Sequence, residues 1–321
     1  MTHSQESAPD LAFGPVPSRR LGRSLGLNNI PPKVCSYSCV YCQVGRTSRL
    51  RIDRESFHSV EEFFENVQSR IIQLKRKDEP VDYMTFVPDG EPTLDANLGF
   101  HIENLRPFDI PIAVISNGSL LWQEEVRRDL QHANWCSVKV DTVDEECWQK
   151  INRPHGGLHL SAVLQGMREF SREYQGELVT ETLLVKGTND GVQQIEQTAE
   201  FIADLHPAVA YLSVPIRPPA ESWVEPPDME AINTAFHVFS DVLDQVEFLI
   251  GYEGDQFAST GHVEQDLLSI TSVHPMRRSA VERLLRKNTG DWTIIEDLLH
   301  REKLVEVDYG GEQFYLRNLK G

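Results

Sequence analysis

Three cysteines lie within eight residues, Cys35-Ser36-Tyr37-Ser38-Cys39-Val40-Tyr41-Cys42. Thiolates at this spacing can each hold one iron of a [4Fe–4S] cluster, which leaves the fourth iron without a protein ligand. An iron open to a small molecule is a reactive centre, whereas a cluster with four Cys ligands usually only carries electrons, so the spacing points to catalysis. The rival is a structural zinc site. Closed zinc sites need four Cys or His ligands in paired knuckles, and no second pair follows at knuckle distance. Cys136 and Cys147 stand apart, beside a strand-like and inside a helix-like run, and are expected to be core thiols. His155 and His159, in a Gly-rich loop, are expected to be solvated rather than metal ligands.

The arrangement CxxxCxΦC, with Tyr41 beside the last Cys, resembles the signature of the radical S-adenosylmethionine (radical SAM) superfamily. The resemblance implies that Cys35, Cys39 and Cys42 are the cluster ligands. It also implies that the open iron is chelated by S-adenosylmethionine, that Tyr41 lies near the adenine, and that reductive cleavage yields a 5′-deoxyadenosyl radical; this chemistry belongs to the cofactors. The turn Val87-Pro88-Asp89-Gly90-Glu91-Pro92 resembles the superfamily's GGE-type motif, with Asp89 where a Gly is usual. Gly90, Glu91 and Pro92 are accordingly expected at the amino end of S-adenosylmethionine, Gly90 allowing close backbone approach and Pro92 stiffening the turn. Asn117 falls where the family contacts the ribose, Asp141 is assigned there with it, and Asn189 belongs to a segment resembling the family's late glycine–asparagine stretch.

These chemical groups need a scaffold that brings strand ends together. Strand-like runs at Ser24 to Asn29, Asp82 to Val87, Ile112 to Ser116, Ser137 to Asp141, Leu178 to Val185 and Ala208 to Ile216 alternate with helix patterns at Val60 to Lys75, Gln123 to Gln131, Leu160 to Glu173 and Val192 to Leu205. The fold class expected is therefore α/β: a partial (β/α)6 TIM-type barrel, which the resemblance also implies, with the Cys loop at the carboxyl end of its first strand. Period-2 alternation places Ser137, Lys139 and Asp141 on one face of the fourth strand and Val138 and Val140 on the other. Under a helical layer the outer face must be apolar, so the polar set faces inward, together with Glu181 and with Tyr211, Ser213, Pro215 and Arg217. Lys139, Glu181 and Arg217 are the candidate catalytic residues, holding substrate in one cavity. Arg19, Arg20 and Arg23 precede the first strand and could serve either an anionic ligand or the protein's own carboxylates.

The expected domains are a loose tail over residues 1–12, the barrel over 13–254 and a further unit over 255–321. Three short helix patterns, Val263 to Thr271, Pro275 to Lys287 and Trp292 to Arg301, precede two alternating runs around Gly310-Gly311, the plan of a winged helix. That unit carries nine Lys/Arg against eleven Asp/Glu, with Glu296 and Asp297 on its third helix, so DNA reading is not expected. The five prolines from Pro215 to Pro227 read as an ordered extended connection.

The run Phe13 to Gly26, with Gly90-Glu91-Pro92-Thr93-Leu94, Ser116-Asn117-Gly118-Ser119-Leu120 and Ile151-Asn152-Arg153-Pro154-His155, resembles the branch grouped with the wyosine-base synthases of tRNA. Those enzymes rebuild an N-methylguanine using pyruvate and carry an upstream cysteine set, and no Cys precedes Cys35 here. A formal net charge of −18 over 321 residues also disfavours a long polyanion as partner, so a small-molecule substrate is expected ahead of tRNA. A flavodoxin or ferredoxin is the expected electron donor. A non-catalytic iron–sulfur or zinc regulator working through the winged helix is the remaining alternative. Five cysteines without a disulfide framework, no leader-like start and no long apolar run predict a cytoplasmic protein with no membrane contact.

Overall fold

The computed structural model describes residues 11–249, 262–273 and 275–318. The boundary expected near residue 254, and residues 1–10 of the expected tail, lie outside the described residues. Leu11 and Ala12, the end of that tail, are buried, and Ala12 opens the first strand.

The chain runs β1 (Ala12–Ser18), β2 (Gly22–Leu27), β3 (Val34–Cys35), β4 (Arg49–Leu50), α1 (Val60–Arg76), β5 (Tyr83–Phe86), α2 (Leu98–Leu105), β6 (Ile112–Ser116), α3 (Glu124–Leu130) and β7 (Trp135–Lys139). It continues through α4 (Glu145–Ile151), α5 (Leu160–Glu173), β8 (Glu177–Leu183), α6 (Val192–Asp204), β9 (Val209–Ser213), α7 (Met229–Val242) and β10 (Val246–Phe248). One eight-stranded sheet has the order β1-β2-β5-β6-β7-β8-β9-β10, antiparallel between β1 and β2 and parallel from β2 onward. Parallel neighbours need crossover connections, which the intervening helices provide. The result is a mixed α/β fold consistent with a partial barrel. Among the described residues no helix is long and apolar enough to cross a membrane.

The helices start where the local chemistry asks for it. Ser59 caps α1 by accepting from the Glu62 amide, acidic Glu61 and Glu62 sit in the first turn, and Lys75 and Arg76 in the last. Those charges oppose the helix dipole, and Phe63, Val67, Ile71 and Leu74 form the buried stripe. Asp144 and Asp228 cap α4 and α7 in the same way.

Side chains alternate across the sheet as the strand period demands. Ile112, Val114, Cys136, Val138, Leu178, Ala210 and Leu212 join the main core under the helices, whereas Ala113, Trp135, Val179, Val209 and Tyr211 form a separate inner layer. Leu21, in the turn between β1 and β2, joins that inner layer. This hairpin lies at the amino end of the parallel strands and packs against their inner face.

The C-terminal segment comprises α8 (Val263–Val273), β11 (Met276–Arg277), α9 (Arg278–Lys287), α10 (Thr293–His300), β12 (Leu304–Tyr309) and β13 (Glu312–Arg317), with a three-stranded sheet ordered β11-β13-β12. Leu267, Ile270, Val281, Leu284, Ile295, Leu298 and Tyr315 build its core, and Phe13 and Val16 of β1 complete it. Tyr309 also donates to the carbonyl of Pro215, in the chain leaving β9, at 3.2 Å. The segment therefore touches the edge strand β1 and the chain beyond β9.

Candidate active site

The loop after β2 carries the three cysteines and is stitched to its surroundings through the backbone. Ser38 and Val40 donate to the carbonyls of Asn152 and Ile151 at 3.0 and 2.9 Å, and Glu221 donates to the Val40 carbonyl at 3.0 Å. The Cys42 amide donates to the Cys39 carbonyl at 3.1 Å, which turns the chain between these two cysteines. The Pro-rich connection is thus ordered, and it braces the Cys loop.

All three thiols lie half-buried near amide donors: the Asn117 side chain reaches Cys35 Sγ at 3.6 Å and that of Asn152 reaches Cys39 Sγ at 3.5 Å. Burial, assisted by the Glu91 carboxylate, pushes the Cys35 thiol well up. Burial and Asp141 push Cys39 up to about 11, and burial and Cys39 push Cys42 up to about 12. Thiols in such surroundings become thiolates only beside compensating positive charge, which bound iron would supply. Among the described residues no three His, Cys, Asp or Glu side chains are gathered closely enough to hold one metal ion. A cluster does not require that, because each thiolate binds its own iron. The three thiols are a donor set that fits three irons of a [4Fe–4S] cluster.

Around the thiols, several residues singled out as cofactor contacts are occupied by the protein itself. The Gly90 backbone pairs with Val34, and a Cβ there would meet the Val34 carbonyl oxygen at 2.0 Å. What Gly90 allows is the approach of its own loop to the strand of Cys35. The fully buried Glu91 accepts from the Thr93 hydroxyl and amide, the Ser116 hydroxyl and the Asn117 amide, at 2.6, 3.1, 2.8 and 2.7 Å. It is a strut between the loops after β5 and β6, and Pro92 starts the short turn below it. Asn189 accepts from the Val185 amide and donates to the carbonyls of Asp141 and Leu183, which uses its whole amide to shape the loop after β8. The Asp141 carboxylate accepts from Tyr41, from Asn152 at 2.7 Å and from the Leu183 amide at 2.9 Å. Tyr41 is held against Asp141 and lies under Lys139, whose Nζ is 5.0 Å from the ring centre. Asn117 bridges Ser36 and Cys35.

Beside Cys42 opens a cavity of about 270 Å³, lined by Arg19, Arg20, Lys139, Glu181 and Arg217 among others. Of the inward set read from strand parity, Lys139, Glu181, Ser213, Pro215 and Arg217 line it, whereas Ser137, Asp141 and Tyr211 do not. Lys139 lies opposite Glu181 across β7 and β8, and Glu181 opposite Tyr211 across β8 and β9. Glu181 accepts from Lys139, Ser213 and Arg20 at 3.0, 3.0 and 2.7 Å. Burial opposes the Glu181 charge, but Lys139 and Arg20 outweigh it and hold the carboxyl well below its ordinary range. Burial likewise opposes the Lys139 ammonium, and Glu181 and Asp141 more than restore it. Arg217 donates to Gln43 at 2.7 Å, which links the end of β9 to the Cys loop.

Arg20 is the residue that sequence reasoning did not place. It rises from the β1–β2 hairpin, with Trp135 and Tyr211 each within 6 Å of its guanidinium carbon, at 5.7 and 5.9 Å. Its neighbours divide the other two arginines: Arg23 binds Asp82 bidentately on the surface, and Arg19 lines the cavity. Asp89 is a second addition. It is 4 % exposed, neither carboxylate oxygen has a hydrogen-bond partner, and burial pushes it up to about 7 although Lys33 opposes the shift. Cys136 and Cys147 are buried core thiols, and His155 accepts from the Gly157 amide of its own loop.

An α/β sheet whose first parallel strand leads into three cysteines, and whose strand ends surround a charged cavity, is an arrangement that suits an iron–sulfur enzyme. The model of the radical SAM superfamily matches residues 29–202. A UPF0026 protein from Methanocaldococcus jannaschii is 47% identical over 312 residues, 97% of each chain. Among solved structures, a radical SAM methyltransferase from Sphaerobacter thermophilus superposes with a TM-score of 0.52 at 13% identity, covering 70% of this chain and 66% of that one. Streptococcus suis SuiB bound to S-adenosylmethionine gives 0.52 at 13%, covering 72% and 52%. The chain belongs to the radical SAM superfamily. It is a radical SAM enzyme, and its cofactors are the [4Fe–4S] cluster and S-adenosylmethionine.

Proposed function

We propose that Cys35, Cys39 and Cys42 hold the cluster and that the cavity beside them receives a small substrate bearing an anionic group. When bound, the cluster and S-adenosylmethionine supply one-electron cleavage of a sulfonium and a carbon radical that abstracts hydrogen. The observation that carries the reading is that Cys42 and Tyr41 share one cavity with Lys139, Arg217, Arg19 and Arg20, opposed there by the single carboxylate of Glu181. A positive chamber in a chain of net charge −18 favours a carboxylate or phosphate. Glu181 pins the Lys139 ammonium and the Arg20 guanidinium in place, so the cavity is preorganised before substrate arrives. Arg217, at the rim, orients the anionic group. Asn117, Asp141 and Tyr41 form the wall facing the S-adenosylmethionine ribose and adenine, with Gly90, Glu91, Pro92 and Asn189 positioning that wall from behind.

The parallel sheet, with the hairpin packed against its inner face, supports a partial (β/α)6 barrel. The order α8-β11-α9-α10-β12-β13 supports a winged-helix-like unit that covers the barrel's open side. Its third helix presents Glu296 and Asp297, Asp297 pairing with Arg301, which does not suit a DNA reader.

Small carboxylic acids and phosphate esters carrying carbon-bound deuterium test the proposal. Wild-type enzyme should transfer deuterium into 5′-deoxyadenosine from an anionic compound. Arg217→Ala should keep 5′-deoxyadenosine formation and lose the transfer. Transfer from neutral compounds alone would refute the anionic substrate.

A further inference from the structure

The segment that follows the cysteines is unlike the rest of the chain in charge. Between residues 33 and 54 there are five basic side chains, Lys33, Arg46, Arg49, Arg51 and Arg54, against the single acid Asp53, in a protein of net charge −18. Arg54 turns inward onto Asp129, while Arg49 lies in β4, both of whose residues are exposed, and Lys33, Arg46 and Arg51 flank that strand along the chain. Arg153 joins them from the loop after α4: it and Arg46 share Glu221, at 2.5 and 2.9 Å. That carboxylate lies beneath them, 10% exposed against 70% for Arg46 and 40% for Arg153, so the outward charge is positive. Glu55, pairing with Arg51, marks one edge. Leu50, 39% exposed, provides an apolar centre.

The same segment is bonded directly to the ligand loop. The Gly45 amide donates to the Cys42 carbonyl at 3.1 Å, the Arg51 amide to the Cys35 carbonyl at 3.0 Å, and the Thr47 hydroxyl to the Tyr37 carbonyl at 2.6 Å. β3 and β4 pair Cys35 with Leu50, so the exposed strand is one strand spacing, about 5 Å, from a ligand backbone.

We propose that this face is the docking surface for an acidic one-electron carrier protein, resting on the assignment of the cluster to Cys35, Cys39 and Cys42. The carrier gives up one electron and the oxidised cluster gains it; no bond forms or breaks. Exposed guanidinium groups in the same short segment as one exposed apolar residue suit a transient protein contact, where charge sets encounter rate and orientation and a small apolar centre seats the partner. The patch is short and edged by Asp53 and Glu55, and the acidic remainder of the chain repels a long nucleic-acid backbone, so a carrier protein is favoured over RNA.

The test uses the full-length, anaerobically reconstituted enzyme and two reductants, flavodoxin hydroquinone and dithionite, with cluster bleaching followed by stopped flow. Flavodoxin should reduce wild type at a rate that falls steeply with salt. Arg46→Glu/Arg49→Glu should lower that rate about tenfold or more, and Arg49→Glu alone should lower it less. Dithionite rates and iron content should not change in either variant. Arg286→Glu, a charge reversal at a 78% exposed site, should behave as wild type. Equal flavodoxin rates in wild type and the double variant would overturn the proposal, as would tRNA binding that depends on Arg46 and Arg49. Wild-type protein with no dithionite-bleachable iron would strike the cysteine assignment itself, and this proposal with it.

Discussion

Replacing Glu181 by Gln removes a charge and almost no volume from the centre of the cavity network. Three groups donate to this carboxylate, Arg20, Lys139 and Ser213 at 2.7, 3.0 and 3.0 Å, and its side chain is 15% exposed. The amide leaves two cations facing each other without their shared anion. Breaking a buried pair from one side costs roughly 3–5 kcal/mol, and the residual exposure argues for the lower end, about 3 kcal/mol. The effect has a pH signature. A carboxyl held below its ordinary value of 4.5 contributes stability that is complete above that value and is lost as pH falls toward the folded-state value, well below it. Urea denaturation of wild type and Glu181→Gln should therefore differ by about 3 kcal/mol at neutral pH, and the gap should narrow below about pH 4.5. Adding Lys139→Met to Glu181→Gln should recover part of the loss, because one stranded cation leaves with it, with a coupling of about 1–3 kcal/mol. A difference under about 0.5 kcal/mol at neutral pH, the same at pH 4, would refute the idea that Glu181 organises the cavity.

Asp89 should show the opposite sign. Its folded value is raised from 3.8 to about 7, so the contribution is complete below about pH 4 and lost as pH rises through 7. Asp89→Asn should accordingly gain stability over wild type between pH 5 and 8 in the cluster-free protein, by up to about 4 kcal/mol; parallel pH profiles would contradict this. Gly90→Ala forces a Cβ against the Val34 carbonyl oxygen and should cost about 1–3 kcal/mol in thermal unfolding while lowering iron content through the displaced Cys35 strand. Normal iron loading and unchanged melting would show that the two strands can part without penalty.

Strand parity carried the reading of the cavity wall. Period-2 alternation is a local property, and Lys139, Glu181, Tyr211 and Ser213 fall on the inner face because Val138, Leu178 and Leu212 take the other face, under the helices. The C-terminal helices were legible for a similar reason, their apolar residues repeating with the helical period over Val263 to Val273 and Arg278 to Lys287. The first hairpin was not: Gly14, Pro15 and Pro17 break the alternation of a strand, yet as an edge strand β1 needs fewer ladder donors and tolerates them. Arg20 was lost with it, since only the hairpin's position against the inner face of the sheet turns a surface-like arginine into a partner of Glu181. The short β3, β4 and β10 carry too few residues for any period to register. Gly90, Glu91 and Asn189 were legible only as motif members. A motif names the residue types a site needs but not whether they touch the ligand, and here Glu91 and Asn189 are saturated by the protein's own groups.

The most direct test of the cysteine assignment is anaerobic reconstitution of wild type and Cys39→Ala, followed by iron analysis, electron paramagnetic resonance with and without S-adenosylmethionine, and assay of 5′-deoxyadenosine. Wild type should bind about four irons per chain, show a reduced-cluster signal that S-adenosylmethionine alters, and form 5′-deoxyadenosine, while the variant forms none. One zinc per chain with no cleavage of S-adenosylmethionine, or full cleavage by Cys39→Ala, would contradict the account.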